Sequence, residues 1–140
     1  MPVYIPLRIK RNRNEIALSV KVNSGFETPI DPQEGPLPLI TISDDEWVKL
    51  GQPKNPDKWV KLKGLEAQPV VRPCYRVEAT IACEDAPEEW ITVYVVVLHE
   101  REYVMNEYLA HRLGIVLIDI YEGLWRLRSD PLNKIRKSKL

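Results

Sequence analysis

Apolar side chains recur at every second position of Glu15–Val22 (EIALSVKV), beginning at Ile16 and ending at Val22. Successive side chains of an extended strand point to opposite faces, so this period of two predicts a strand with one buried face. Val3–Ile9 alternates more loosely, and the polar run between the two segments, Lys10–Asn14 (KRNRN), predicts a hairpin turn. The chain therefore begins with a β-hairpin that needs further strands to cover it.

Several later segments carry the β-branched and aromatic residues typical of strands. Strands are predicted over Leu39–Ile42, Lys58–Leu65, Val70–Cys83, Glu89–Leu98, Ile115–Ile120 and Gly123–Leu127. The proline-rich passage between Pro29 and Pro38 predicts an irregular loop. The fold class we expect is mostly β: a small closed or partly closed antiparallel β-barrel with two short helices.

Two segments have helical signals. In Ser43–Gly51 (SDDEWVKLG), Ser43 and Glu46 form a capping box, Asp44 and Asp45 suit the positive end of the helix dipole, and Gly51 can end the helix. Trp47, Val48 and Leu50 are available for burial. In Tyr103–Leu113 the apolar residues Met105, Leu109 and Leu113 lie four positions apart. We expect residues 1–130 to form a single domain and residues 131–140 to form a basic tail, frayed or docked on a partner.

The charge balance, the length of the apolar runs and the spacing of Cys and His argue against nucleic-acid, membrane and metal binding. Lys plus Arg and Asp plus Glu each number 20, so the net charge is zero and no bulk field favours nucleic acid. No apolar run approaches the roughly 20 residues that span a bilayer, and no leader is evident, so we expect a cytoplasmic protein without membrane contact. Cys74 and Cys83 are expected to be free, buried thiols, although a bridge between them is possible. Their spacing with His99 and His111 matches no metal site, so no metal or cofactor is expected.

The order of elements and three short motifs resemble the retropepsin-like aspartic proteases. In VKVNSGF, Asn23-Ser24-Gly25 occupies the position of the family's Asp-Ser/Thr-Gly active-site turn. The helix ending in Leu50-Gly51 is similar to the family's short helix. Val104-Met105-Asn106 and Leu113-Gly114 resemble the second family motif, in which a glycine precedes a helix that ends in an apolar residue and glycine.

This resemblance implies a homodimer, because the family assembles one active site from two chains or two lobes. The departures are Asn23 for the catalytic Asp, Phe26 for Ala, and Asn106 for Gly. An amide cannot take a proton from water, so two Asn23 side chains cannot replace a shared-proton carboxylate pair. We expect no catalytic residues at Asn23, Ser24 and Gly25, and we expect Phe26 and Asn106 to belong to a rebuilt binding pocket.

Three functions remain open from the sequence. The first is a non-catalytic homodimer that binds a peptide or protein partner in the former substrate groove. The second is an aspartic-type endopeptidase, active after conversion of Asn23 to Asp or with carboxylates from another chain. The third is a structural dimer without a ligand.

Ser24 is not expected to be a nucleophile, because no histidine lies near it in sequence. Asn23 and Ser24 also suit a turn stabilised by their own side chains, and Asp119 suits a turn in the last hairpin.

Overall fold

A computed structural model describes residues 2–64, 67–98 and 102–138. The helices are α1 (Asp44–Lys49) and α2 (Glu107–Arg112). The strands are β1 (Tyr4–Arg11), β2 (Asn14–Val22), β3 (Ile30–Asp31), β4 (Gly35–Pro36), β5 (Leu39–Ile42), β6 (Lys58–Leu62), β7 (Val70–Ile81), β8 (Ile91–Val97), β9 (Val104–Met105), β10 (Ile115–Asp119), β11 (Leu124–Leu127) and β12 (Arg136–Lys137).

Six of these strands close into a barrel. Their order is β1-β2-β9-β5-β8-β7, and β1 pairs with β7 to complete the circle, with Leu7 opposite Ile81. β6 extends the sheet beyond β7 as an edge strand. The expected mostly β fold, with a closed barrel and two short helices, is confirmed. Within the described residues, no helix is long and apolar enough to cross a membrane.

The barrel is not wholly antiparallel, so this part of the expected fold class is wrong. β2 runs parallel to β9, and β5 runs parallel to β8. Parallel neighbours need a long crossover between them, and both pairs have one, since several elements separate each pair along the chain. The remaining barrel pairings are antiparallel.

The first hairpin and the first helix form as their patterns predict. Along β2, Ile16, Leu18 and Val20 are buried, and they pack into the barrel core. Ser43 caps α1, where its Oγ accepts from the Glu46 N–H at 3.4 Å. Trp47 and Leu50 are buried as expected, whereas Val48 faces away from the core with 59% of its surface exposed.

The second helix begins four residues later than its apolar spacing predicts. Val104 and Met105 form β9, which pairs with Lys21 and Val22, and Asn106 then caps α2. Met105 is fully buried as a strand residue, and a helix with this apolar spacing would also place it on the buried face, so the spacing alone could not separate strand from helix.

Two segments expected to be irregular contain strands. Ile30–Asp31 and Gly35–Pro36 pair as a small hairpin in the proline-rich passage. In the basic tail, β12 pairs with β11, and Ser138 Oγ accepts from the Tyr4 N–H at 2.8 Å. Residues 136–138 are therefore held by their own chain rather than frayed, while residues 139 and 140 lie outside the described residues.

Candidate functional site

The Asn23 turn, residues Asn23–Phe26, begins where β2 leaves its parallel pairing with β9. The Asn23 N–H donates to the Met105 carbonyl at 3.0 Å, so the turn starts beside the second family-like motif. The Asn23 Oδ1 atom accepts from the Gly25 N–H at 2.9 Å, and the Phe26 N–H donates to the Asn23 carbonyl at 3.3 Å. This is the Asx-type turn that the sequence suggested.

The Asn23 turn exposes only uncharged groups. Asn23 is half-buried, and Ser24 and Gly25 are exposed. The Asn23 side-chain oxygen already serves its own turn, so the Nδ2 group is the part of this amide left to face a ligand. A carboxamide can donate and accept hydrogen bonds there, but it offers no group that titrates near neutral pH.

Gly64, which the sequence did not single out, packs directly on this turn. It has a positive φ of 88°, and a Cβ atom at this position would lie 1.6 Å from the Gly25 carbonyl oxygen. The Glu27 N–H also donates to the Lys63 carbonyl at 3.1 Å. The chain leaving β6 therefore closes over the Asn23 turn, and only glycine permits so close an approach.

Asn106 is fully buried, and all its side-chain bonds lie within the chain. Its Oδ1 accepts from the N–H groups of Leu109, at 3.1 Å, and Leu39, at 3.2 Å. Its Nδ2 donates to the Leu37 carbonyl at 2.9 Å. Asn106 thus caps α2 and ties that helix to the segment before β5. Asn106 therefore stabilises the backbone next to the Asn23 turn, and it has no exposed atoms with which to contact a ligand.

Phe26 is also internal, since only 1% of its surface is exposed. It belongs to a second apolar cluster, made of Phe26, Leu37, Leu39, Val60, Leu62, Cys74, Tyr94, Val96 and Val104. Phe26 therefore anchors the end of the turn in the core. Burial raises the pKa of the Cys74 thiol to about 12, which keeps it neutral. Cys74 and Cys83 are not joined by a disulfide, as expected, although Cys83 is only half-buried.

A groove of about 390 Å³ begins at Glu27, the residue that follows the Asn23 turn. One wall is the segment from Glu27 to Pro32, and the other is Trp59–Lys61 of β6 with Lys63. Trp59 is 66% exposed and Ile30 is 76% exposed, so large apolar side chains stand open at its edges. We call this space the β6 groove.

Two carboxylates, Glu27 and Asp31, line the β6 groove, and Asp31 is held by its own neighbours. Lys58 Nζ donates to Asp31 Oδ2 at 2.8 Å, and the N–H groups of Glu34 and Gln33 donate to Asp31 Oδ1. These bonds lower the pKa of Asp31 to about 2, so it is ionised at neutral pH and paired with a lysine. It stabilises the β3–β4 hairpin rather than acting as a proton donor.

The other candidate residues have structural roles or lie outside the described residues. Asp44 and Asp45 stand in the first turn of α1, and Asp119 Oδ1 accepts from the Glu122 N–H at the turn after β10, as expected. His111 lies beside Arg128, and His99 lies outside the described residues. Among the described residues, no cluster of three or more His, Cys, Asp or Glu side chains could hold a metal ion.

No protein-family model matches this sequence, and no curated protein is significantly similar to it.

Proposed function

We propose that this protein is a non-catalytic, homodimeric relative of the retropepsin-like aspartic proteases that binds an extended peptide or protein segment in the β6 groove. The observation that carries the proposal is the Asn23 turn itself. It stands at the surface with a carboxamide at its centre, next to a second motif whose Met105 carbonyl it contacts. Without a carboxylate pair, this arrangement is suited to hydrogen bonding and not to proton transfer.

The β6 groove favours an extended ligand. β6 is an edge strand, and an edge strand can pair with the backbone of an added strand. Trp59 and Ile30 offer apolar contact surface at the groove, and Lys61 lines its wall. Main-chain pairing supplies affinity that depends little on sequence, while alternate side chains of the ligand meet Trp59 or Ile30 and supply selectivity.

Exposed apolar residues at one edge of the molecule favour a dimer. Leu117 and Ile118 of β10 are 40% and 43% exposed, and Ile120 and Tyr121 in the following turn are 62% and 79% exposed. β10 is also an edge strand of its three-stranded sheet. A second copy that covers these side chains would remove exposed apolar surface from water.

A disulfide trap tests the dimer and the position of the turn together. In a Cys83→Ser background, Ser24→Cys is expected to form an intersubunit disulfide under mild oxidation, since the two turns would face each other. Lys54→Cys, in an exposed loop, serves as the matched control and should not cross-link faster than random collision. A monomer by analytical ultracentrifugation, with no Ser24→Cys cross-link, would refute the homodimer.

Peptide binding is tested separately. A library of dye-labelled, unstructured peptides should contain sequences whose fluorescence anisotropy rises when they bind this protein. Trp59→Ala should weaken their binding, while Trp90→Ala should not. Incubation of the same peptides between about pH 3 and 7 should give no cleavage, because no carboxylate pair is present. Pepstatin-sensitive cleavage by protein that mass spectrometry shows to retain Asn23 would instead establish the endopeptidase.

A further inference from the structure

A second cleft, of about 200 Å³, opens at the C-terminal end of α2 and shares no lining residue with the β6 groove. Apart from Thr80, the buried side chains that form its floor are apolar. Ile81 and Leu127 are only 8% and 4% exposed, and Ile91 and Leu113 are half-buried against the barrel core. We call it the Arg112 cleft. An apolar group of a ligand can be buried against these apolar side chains.

Two arginines, Arg112 and Arg128, line this cleft. Arg128 Nη2 donates to the His111 carbonyl at 2.9 Å, and its Nη1 lies 3.4 Å from His111 Nδ1. The end of α2 thus fixes the position of this guanidinium. Each guanidinium carries five N–H donors, so Arg128 keeps further donors for a ligand. The Arg112 guanidinium lies 5.9 Å from the ring centre of Tyr108 on the same helix.

Neither arginine forms an ion pair within the part of the chain that the structure describes. Arg8, Arg76 and Arg136, by contrast, each contact a carboxylate. Two guanidiniums beside an apolar floor attract a carboxylate strongly, because charge-assisted bonds of this kind are about twice as strong as neutral ones. The cleft has one acidic side chain, Glu89.

We infer that the Arg112 cleft binds a monocarboxylate with a short aliphatic group, either a small free acid or the C-terminal residue of a peptide. The carboxylate contacts Arg112 and Arg128, and the aliphatic group packs on Ile81 and Leu127. The volume is below that of sites for drug-sized ligands, which limits the buried part to about one side chain. Glu89 repels a second carboxylate, so dicarboxylates bind more weakly.

Titrations followed by amide chemical shifts of Gly114 and Ser129 test this site. The probes are 4-methylpentanoate and acetyl-Gly-Leu, each compared with its neutral amide, at constant ionic strength. We expect saturable shifts with a dissociation constant on the order of 1 mM for at least one carboxylate, and about tenfold weaker binding for the matching amide. Which probe binds more tightly distinguishes a free acid from a peptide terminus.

Variants separate this site from non-specific attraction. Arg112→Gln and Arg128→Gln should each weaken binding about tenfold, whereas Arg13→Gln, at the exposed hairpin tip, should leave it unchanged. Glu89→Gln should strengthen binding of the dicarboxylate glutarate. If Arg128→Gln unfolds, Arg112→Gln decides the matter, since the Arg112 side chain holds no backbone carbonyl among residues 2–64, 67–98 and 102–138. Absence of saturation, equal binding of acid and amide, or equal effects of the Arg112 and Arg13 variants would overturn the inference.

Discussion

Replacing Asn106 by alanine removes one small polar group from beneath the candidate site. Its amide makes three bonds to main-chain groups that are otherwise enclosed: the N–H groups of Leu109 and Leu39 and the carbonyl of Leu37. Leu39 and Leu109 are fully buried, and Leu37 is 2% exposed. Water cannot easily replace the lost partner, so we expect a large loss of stability with little change in packed apolar volume.

The size of the loss follows from these contacts. Loss of the helix cap alone costs about 1 kcal/mol. The Leu39 N–H and the Leu37 carbonyl would also be left buried without this partner, at about 1–3 kcal/mol each. The sum is about 3–7 kcal/mol, a large fraction of the 5–15 kcal/mol typical of a domain, and it lowers the melting temperature by about 10 °C or more.

Urea unfolding at equilibrium measures this loss, and Ser43→Ala is the matched control. Ser43 also caps a six-residue helix, but its hydroxyl accepts one main-chain bond, from the Glu46 N–H. We expect the control to cost about 1 kcal/mol. If Asn106→Ala costs no more than Ser43→Ala, Asn106 is only a cap, and its proposed role in tying α2 to the segment before β5 is wrong.

Three further perturbations probe the site and the tail. Gly64→Ala should destabilise the fold more than Gly35→Ala. Both glycines have a positive φ, but of the two only a Cβ atom added at Gly64 would lie within 4 Å of backbone atoms. Thermal unfolding of the two variants measures the difference in stability. Asn23→Asp should fold at neutral pH. In a dimer, its free energy of unfolding should fall relative to that of the parent as pH rises above about 4, because facing carboxylates raise the pKa of one of them. A difference in free energy of unfolding that does not vary with pH would contradict the dimer. Arg136→Met removes the bonds that lower the pKa of Asp130 to about 2. The loss in free energy of unfolding, measured with urea, should therefore be largest above a pH of about 4 and should decrease as the pH falls towards 2.

The sequence was most informative where contacts are local. The alternation in Glu15–Val22, the Ser43 cap of α1 and the Asx turn at Asn23 all depend on residues within a few positions of each other, and each forms in the structure. Local hydrogen bonds and side-chain periodicity are properties that a short window of sequence contains.

Pairings between distant segments could not be predicted in the same way. Val104 and Met105 have apolar spacing that fits a helix, and only their pairing with the end of β2 makes them a strand. The basic tail was expected to be frayed or docked on a partner. Arg136 is instead 9% exposed, because Asp130 and Asp85 neutralise it, and Asp85 lies 51 positions away in the chain. Charge count alone cannot reveal such a partner.

The two asparagines of the candidate site are linked through one peptide unit. The Asn23 N–H is bound by the Met105 carbonyl, which belongs to the peptide bond that leads into Asn106. The Asn106 amide then fixes this peptide by its bonds to Leu37 and Leu39. A glycine at position 106 would supply none of these side-chain bonds, so the segment before β5 would have to find other partners. Asn23→Asp therefore changes the charge of the turn but leaves the Asn106 side-chain bonds in place. For this reason we expect the variant to show carboxylate repulsion without peptide cleavage.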